Sequence, residues 1–298
     1  MSVSEEQLRS ARLPKRVGLD GSGMTREIAR AIGLVHELRR NDASIGRWVT
    51  FPLVNQTGDH ADHDVEQYEA EPQNTQHYSE LPRIATIVEE LRADGFDIDY
   101  ARVAVITGRG MLRPHVDNFP SLRLILPLTE QGTDFRHLFY DRCVAMRAGE
   151  LWSVRPQTCH AAANIVDRGE RVALLVDARL DSTVLPDWYP DEPGIPPDRL
   201  LRRTQWDETS RREVEGRSRR ILDLVATSNE GIPVLPAEEE WLFAPFEFEL
   251  AGDAAYSELT AFLGRVADES PTSASRLFWT SRAEHWAANN CVGAPASV

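Results

Sequence analysis

The feature that most constrains this chain is a change of hydrophobic period at residue 98. From there, apolar residues alternate over 98–107, 121–128, 135–146, 150–154 and 171–177. Turn signals separate these runs: Gly108 to Gly110, Gln131-Gly132, Ala148-Gly149 and Arg168-Gly169. Period-two runs at this spacing predict short strands in an antiparallel sandwich or barrel. Before residue 98 the period is helical over 25–40, where Ile28, Ile32, Val35 and Leu38 share a face, and over 79–93, with Ser79 as expected N-cap and Gly95 as stop. A strand is expected at 48–54 and a polar, acidic segment at 58–74. Residues 181–199 hold five prolines and admit no regular element. They divide a mixed first part, 1–185, from a Pro-rich linker and helical C-terminal part, 186–298. There, helices expected at 208–226, 254–267 and 273–287 would pack on the core.

Composition narrows the function classes. The 33 basic and 47 acidic residues leave a net charge of −14, which disfavours nucleic acid and anionic lipid as partners. Neither a signal peptide nor a membrane span is read, and three scattered cysteines fit a reducing cytoplasm. Lys15 is the only lysine, so a cation that grips a carboxylate here is expected to be arginine.

Two of the eight histidines begin an H-x-D triplet, His60-Ala61-Asp62 and His115-Val116-Asp117. The first sits in GDHADHD and reads as a solvated loop. The second follows a strand and a glycine turn and precedes an apolar strand. On an extended segment, residues i and i+2 point the same way, so His115 and Asp117 can face one metal ion. His160 follows the run GELWSV and the turn RPQTC, and Arg171 opens the next strand. Two histidines and a carboxylate form the facial triad of non-haem iron(II) oxygenases. An arginine on the strand after the distal histidine suits a bidentate carboxylate clamp. Arg102 and Arg123 lie inside apolar strands, as carboxylate binders or as members of structural salt bridges. Trp152 reads as core or as pocket wall, and Cys159 as a small apolar filler.

The segments ARVAVITGRGMLRPHVD, SLRLILPL, MRAGELWSVRPQTCHAAANI and GERVALLVDARLD, with RVGLD and GRWVTFPLVNQTG upstream, resemble the bacterial proline hydroxylases. These are iron(II)- and 2-oxoglutarate-dependent enzymes related to the aspartyl/asparaginyl β-hydroxylases, and the resemblance spans residues 15 to 185. It implies a double-stranded β-helix (jelly roll, cupin) core with N-terminal helices. It also implies iron on His115, Asp117 and His160, 2-oxoglutarate on Arg171, and Arg123 near the co-substrate or the substrate carboxylate. Two departures stand out. Ile125 replaces the histidine of the family's R-x-H, and Asp117 is kept where peptide-modifying relatives often lack a carboxylate and a halogenase leaves the position to chloride. The expected activity is hydroxylation of a free L-amino acid, first L-proline or a close relative, with O2 consumed and ascorbate an aid in vitro. Arg102, Arg123 and Trp152 are expected at the substrate. Alternatives are the same chemistry on a peptidyl Asp/Asn, an N-acyl amino acid or a biosynthetic intermediate, or a metal-binding jelly roll without turnover. Monomer and homodimer both stay open.

Overall fold

The fold is described by a computed structural model. It covers residues 10–202 apart from 42–46, 63–69, 109, 118–120, 131, 140–141, 159 and 167, then 204–205, 207–213, 215–216, 250–251 and isolated positions between 261 and 284. The elements in chain order are β1 (Ala11–Arg16), α1 (Ser22–Asn41), β2 (Trp48–Asn55), β3 (Gln73–Asn74), α2 (Gln76–Glu80), α3 (Pro82–Ala93) and β4 (Ile98–Ile106). There follow β5 (Met111–His115), β6 (Ser121–Pro127), β7 (Phe135–Phe139), β8 (Arg142–Val144), β9 (Glu150–Val154), β10 (His160–Asn164) and β11 (Arg171–Arg179). A large sheet has the order β1-β9-β6-β11-β4-β2-β3 and a small one the order β5-β10-β7-β8. All pairings in both are antiparallel. This is the expected jelly roll.

Period two sorts the large sheet into two faces. Val103 and Val105, Leu122, Leu124 and Leu126, and Val172, Leu174 and Val176 join Val35 of α1 and Ile84, Val88 and Leu91 of α3 in one core cluster. The alternate residues, including Ala104, Ile125, Trp152, Ala173 and Leu175, meet Phe139, Val144 and Met146 of the small sheet and its flank in another. Strands covered on both sides read as continuous apolar runs, as LRLILPL and RVALLVD do.

Besides the two-residue β3, three strands escape the sequence pattern for identifiable reasons. β1 (ARLPKR) and β5 (MLRPH) contain proline and lie at sheet edges, where a missing N–H is tolerated. β10 (HAAAN) is rich in alanine, which carries little strand preference. The run 135–146 is broken into β7 and β8, which pair with each other. Ser79 lies within α2 and does not cap α3. That helix begins at Pro82, and the buried Glu27 carboxylate of α1 accepts the Arg83 and Ile84 N–H groups at 3.0 Å. The charged cap satisfies helix N–H groups that lack an intrahelical partner.

The Pro-rich stretch is a strap against the core. Trp188 packs on Phe96, Tyr189 is buried, and Ile195 touches the inner cluster. Arg199 is buried and grips the buried Glu150 at the start of β9, with Nη2 at 2.6 Å and Nε at 3.1 Å. Within the three segments expected to be helical toward the C-terminus, every described position is helical. The remainder of those segments, with His63, Cys159, His285 and Cys291, lies outside the described residues. Among the described residues no helix is long and apolar enough to cross a membrane.

Candidate metal centre and carboxylate pocket

His115 ends β5 and His160 begins β10, directly opposite in register. Their rings stand 4.2 Å apart between centroids. Asp117 lies just past β5, and its N–H donates to the Pro156 carbonyl at 2.9 Å, tying the H-x-D turn to the turn that leads into His160. Asp117 Oδ1 is 3.4 Å from His115 Nε2, and Oδ2 is 3.6 Å from His160 Nε2. One donor atom from each residue falls within 4.8 Å of the other two, the one such cluster among the described residues. His160 Nδ1 lies 3.0 Å from the Thr158 carbonyl. That contact assigns the proton to Nδ1 and makes Nε2 the acceptor, which Arg123 Nη1 approaches at 3.3 Å and which a metal would take up, the usual arrangement of a ligating histidine. Burial, then the neighbouring His115 and Arg123, keeps this imidazole neutral by holding its pKa well below the usual range. Two imidazole nitrogens and one carboxylate fit a divalent iron with open positions.

Arg123 organises the carboxylate. Its Nη1 donates to Asp117 Oδ2 at 2.6 Å, while Nε and Nη2 donate to Asp177 Oδ1 and Oδ2 at 2.8 and 3.2 Å. Strand register makes this possible, since Arg123 of β6 faces Asp177 of β11. Burial raises the Asp117 pKa, but the charge and hydrogen bond of Arg123 lead the opposing effects and leave a net lowering. Asp177 was not foreseen from sequence. The signal available was a carboxylate on the same face as Ala173 and Leu175, in an otherwise apolar strand.

The triad opens into a cavity of about 440 Å³ between the sheets, within the range of small-molecule sites. Arg102, Arg123 and Arg171 line it together with Trp48, Thr50 and His137. Arg171 is buried, and burial pushes its guanidinium down to about 9. Arg102 Nη1 stands 4.0 Å from Asp177 Oδ2, and its buried Nε has no hydrogen-bond partner. Ile125 is part of the wall. Trp152 is not: it pairs with Ile125 across β9 and β6 and is fully buried in the inner cluster. The expected substrate contact at Trp152 is therefore corrected to a packing role. His137, counted in the sequence only as one of eight histidines, is a wall residue.

His60 and Asp62 sit apart from this centre. His60 is 53% exposed, and Asp62 accepts from Thr57 Oγ1 at 2.8 Å.

The aspartyl/asparaginyl β-hydroxylase family model matches residues 25–180. No curated protein matches the chain. Among solved structures, similarity is found to HygX from Streptomyces hygroscopicus, determined with nickel and 2-oxoglutarate bound, at 10% identity over 59% of this chain and 87% of that chain, with a TM-score of 0.35. AviO1 from Streptomyces viridochromogenes Tue57 is 13% identical over 61% of this chain and 96% of that one, with a TM-score of 0.38. A prolyl-4-hydroxylase from Pseudomonas putida is 17% identical over 51% and 86%, with a TM-score of 0.27. Because the family match runs over more than half the chain, from α1 through the last strand of the large sheet, the protein belongs to the aspartyl/asparaginyl β-hydroxylase family of 2-oxoglutarate-dependent oxygenases.

Proposed function

We propose that the protein hydroxylates a free L-amino acid, with L-proline or a close relative the first candidate. His115, Asp117 and His160 would hold iron(II), and Arg171 would bind the far carboxylate of 2-oxoglutarate. Iron(II) supplies the coupling of 2-oxoglutarate decarboxylation by O2, which yields succinate and CO2, to insertion of the second oxygen atom into a substrate C–H bond. The chain's own groups do the positioning. Thr158 fixes the His160 tautomer, Arg123 aims Asp117, and Asp177 holds Arg123 from behind.

The observation that carries the substrate reading is Arg102. Of the three arginines on the wall, Arg123 is fully engaged by Asp117 and Asp177. Arg102 lies over the Tyr100 ring and makes a long approach to Asp177, and its buried Nε has no hydrogen-bond partner. A buried cation in that state suits an incoming carboxylate. Asp117 also separates this chain from relatives that lack a carboxylate there.

The test is a panel of the standard amino acids, cyclic analogues and carboxyl-blocked peptides, incubated with iron(II), 2-oxoglutarate, ascorbate and air. Mass gain of one oxygen atom on a free amino acid, with matching succinate, is the expected result. Turnover of a carboxyl-blocked peptide in preference to any free amino acid overturns the reading.

A further inference from the structure

Strand register lays out the cavity in rows, each two residues or about 7 Å further along. On the large sheet the inner face runs from Arg123 beside Asp177, through Leu175 beside Ile125 and Arg102, to Ala173 beside Ala104, and ends at Arg171 beside Ile106. The triad lies at the Arg123 end. On the small sheet, β10 runs in the same sense. His160 is at the triad end, and the Asn164 side chain at the other end holds the Arg168 and Gly169 carbonyls just before Arg171. His137 of β7 pairs with Ala162, midway along. It therefore stands between the triad and the end of the cavity that Arg171 closes.

His137 is 2% exposed, lines the cavity, and carries a buried Nε2 with no hydrogen-bond partner. An imidazole nitrogen buried in this state is costly unless a ligand satisfies it. Burial, then the charge of Arg171, pushes the His137 pKa well below its usual value. The ring thus offers a neutral N–H and adds no further positive charge. Ala104, Ala173 and Ala162 leave room between the two sheets at this level.

We propose that His137 is a second anchor for the co-substrate, its ring N–H donating to the same far carboxylate of 2-oxoglutarate that Arg171 binds. Arg171 approaches from the large sheet and His137 from the small one. His137 then selects a dicarboxylate over a 2-oxo monocarboxylate. This rests on the reading of 2-oxoglutarate as co-substrate with Arg171 as its clamp.

The test is calorimetric titration of the nickel-loaded protein, in which turnover is absent, with 2-oxoglutarate and with 2-oxopentanoate, which has the same carbon chain but no far carboxylate. His137→Leu is expected to weaken 2-oxoglutarate about tenfold to a hundredfold, as loss of one hydrogen bond to a charged group does. The same change should leave 2-oxopentanoate within about twofold, because that ligand has no group for the ring to bind. His137→Gln, which keeps an N–H donor, should recover part of the loss. Equal weakening of both ligands, or unchanged 2-oxoglutarate affinity in His137→Leu, overturns the assignment while leaving the co-substrate reading intact. Failure of the unmutated protein to bind 2-oxoglutarate overturns both.

Discussion

The triplet H-x-D occurs twice in this chain, at His60 to Asp62 and at His115 to Asp117, and the two copies end in different physical states. In the first, the Asn55 side chain donates to the carbonyls of Asp59 and Asp62, at 2.7 and 2.9 Å. The Asp62 carboxylate turns to Thr57, and the half-exposed His60 ring lies beside Asp59 and edge-on to His77. The triplet is folded on itself as a turn. In the second, β5 holds His115 extended, His160 faces it across the ladder, and Arg123 draws Asp117 inward. What makes a candidate metal site of the second is the sheet around it, which brings a third donor and a counter-charge to the same point. Three residues alone do not encode either.

The sharpest way to break this comparison is to exchange the fates of the two triplets. Replacing His115, Asp117 or His160 singly with Ala should abolish succinate formation, and should also remove the rise in melting temperature on adding nickel, since a three-residue triad has no spare protein ligand. Next in size is Arg171→Ala. Loss of a buried carboxylate clamp corresponds to about 2–5 kcal/mol, so the KM for 2-oxoglutarate should rise at least about thirtyfold, with Arg171→Lys recovering only part. Smaller is Arg123→Met, which leaves all three donors in place but releases Asp117 and Asp177. Metal affinity should fall about tenfold to a hundredfold, the usual cost of losing a group that orients a ligand. An unchanged metal affinity there would show that the sheet alone, without Arg123, sets the carboxylate. Arg102→Ala should raise the substrate KM while 2-oxoglutarate decarboxylation without substrate stays measurable; a substrate KM that does not move would place the substrate carboxylate elsewhere. The smallest effects belong to the first triplet: His60→Ala and Asp62→Ala should keep activity within about twofold. If they abolish it, the wrong triplet has been chosen.

Much of the site was legible because it follows from spacing. The i, i+2 rule places His115 and Asp117 on one face, and alternation places Arg102 with Ala104 and Arg123 with Ile125 inside the barrel. What spacing lacks is the neighbour across the ladder. Arg123 reads as a binder of a ligand carboxylate or as a member of a structural salt bridge, and the salt bridge is what the structure holds: its partners are Asp177 and Asp117, which only the pairing of β6 with β11 reveals. Trp152 lies in the core cluster and His137 on the cavity wall for the same reason. A large aromatic near a pocket draws attention in a sequence, whereas a histidine in FRHLF does not. Their positions depend on which strand lies opposite. Helix α3 shows the limit locally: Ser79 is a sound N-cap by type, yet Glu27, 56 residues before Arg83 in sequence, does the capping.

The strap bears on modularity. A proline-rich segment after the last strand of the large sheet invites separation of the chain into exchangeable parts at residue 185. Cutting there would remove Arg199 from Glu150, a carboxylate only 1% exposed whose remaining contacts are the Arg147 N–H at 3.2 Å and the more distant Arg12 and Arg16 at 3.5 and 3.7 Å. It would also uncover β8, whose Cys143 carbonyl accepts the Leu201 N–H and whose Val144 bridges to Leu200. A buried charge stripped of its closest partner and a bare sheet edge are respectively a stability defect and an aggregation hazard. The smallest self-sufficient unit of the oxygenase therefore extends to at least Leu201, and any transplant of the C-terminal region onto another jelly roll has to carry a counterpart of Glu150 with it.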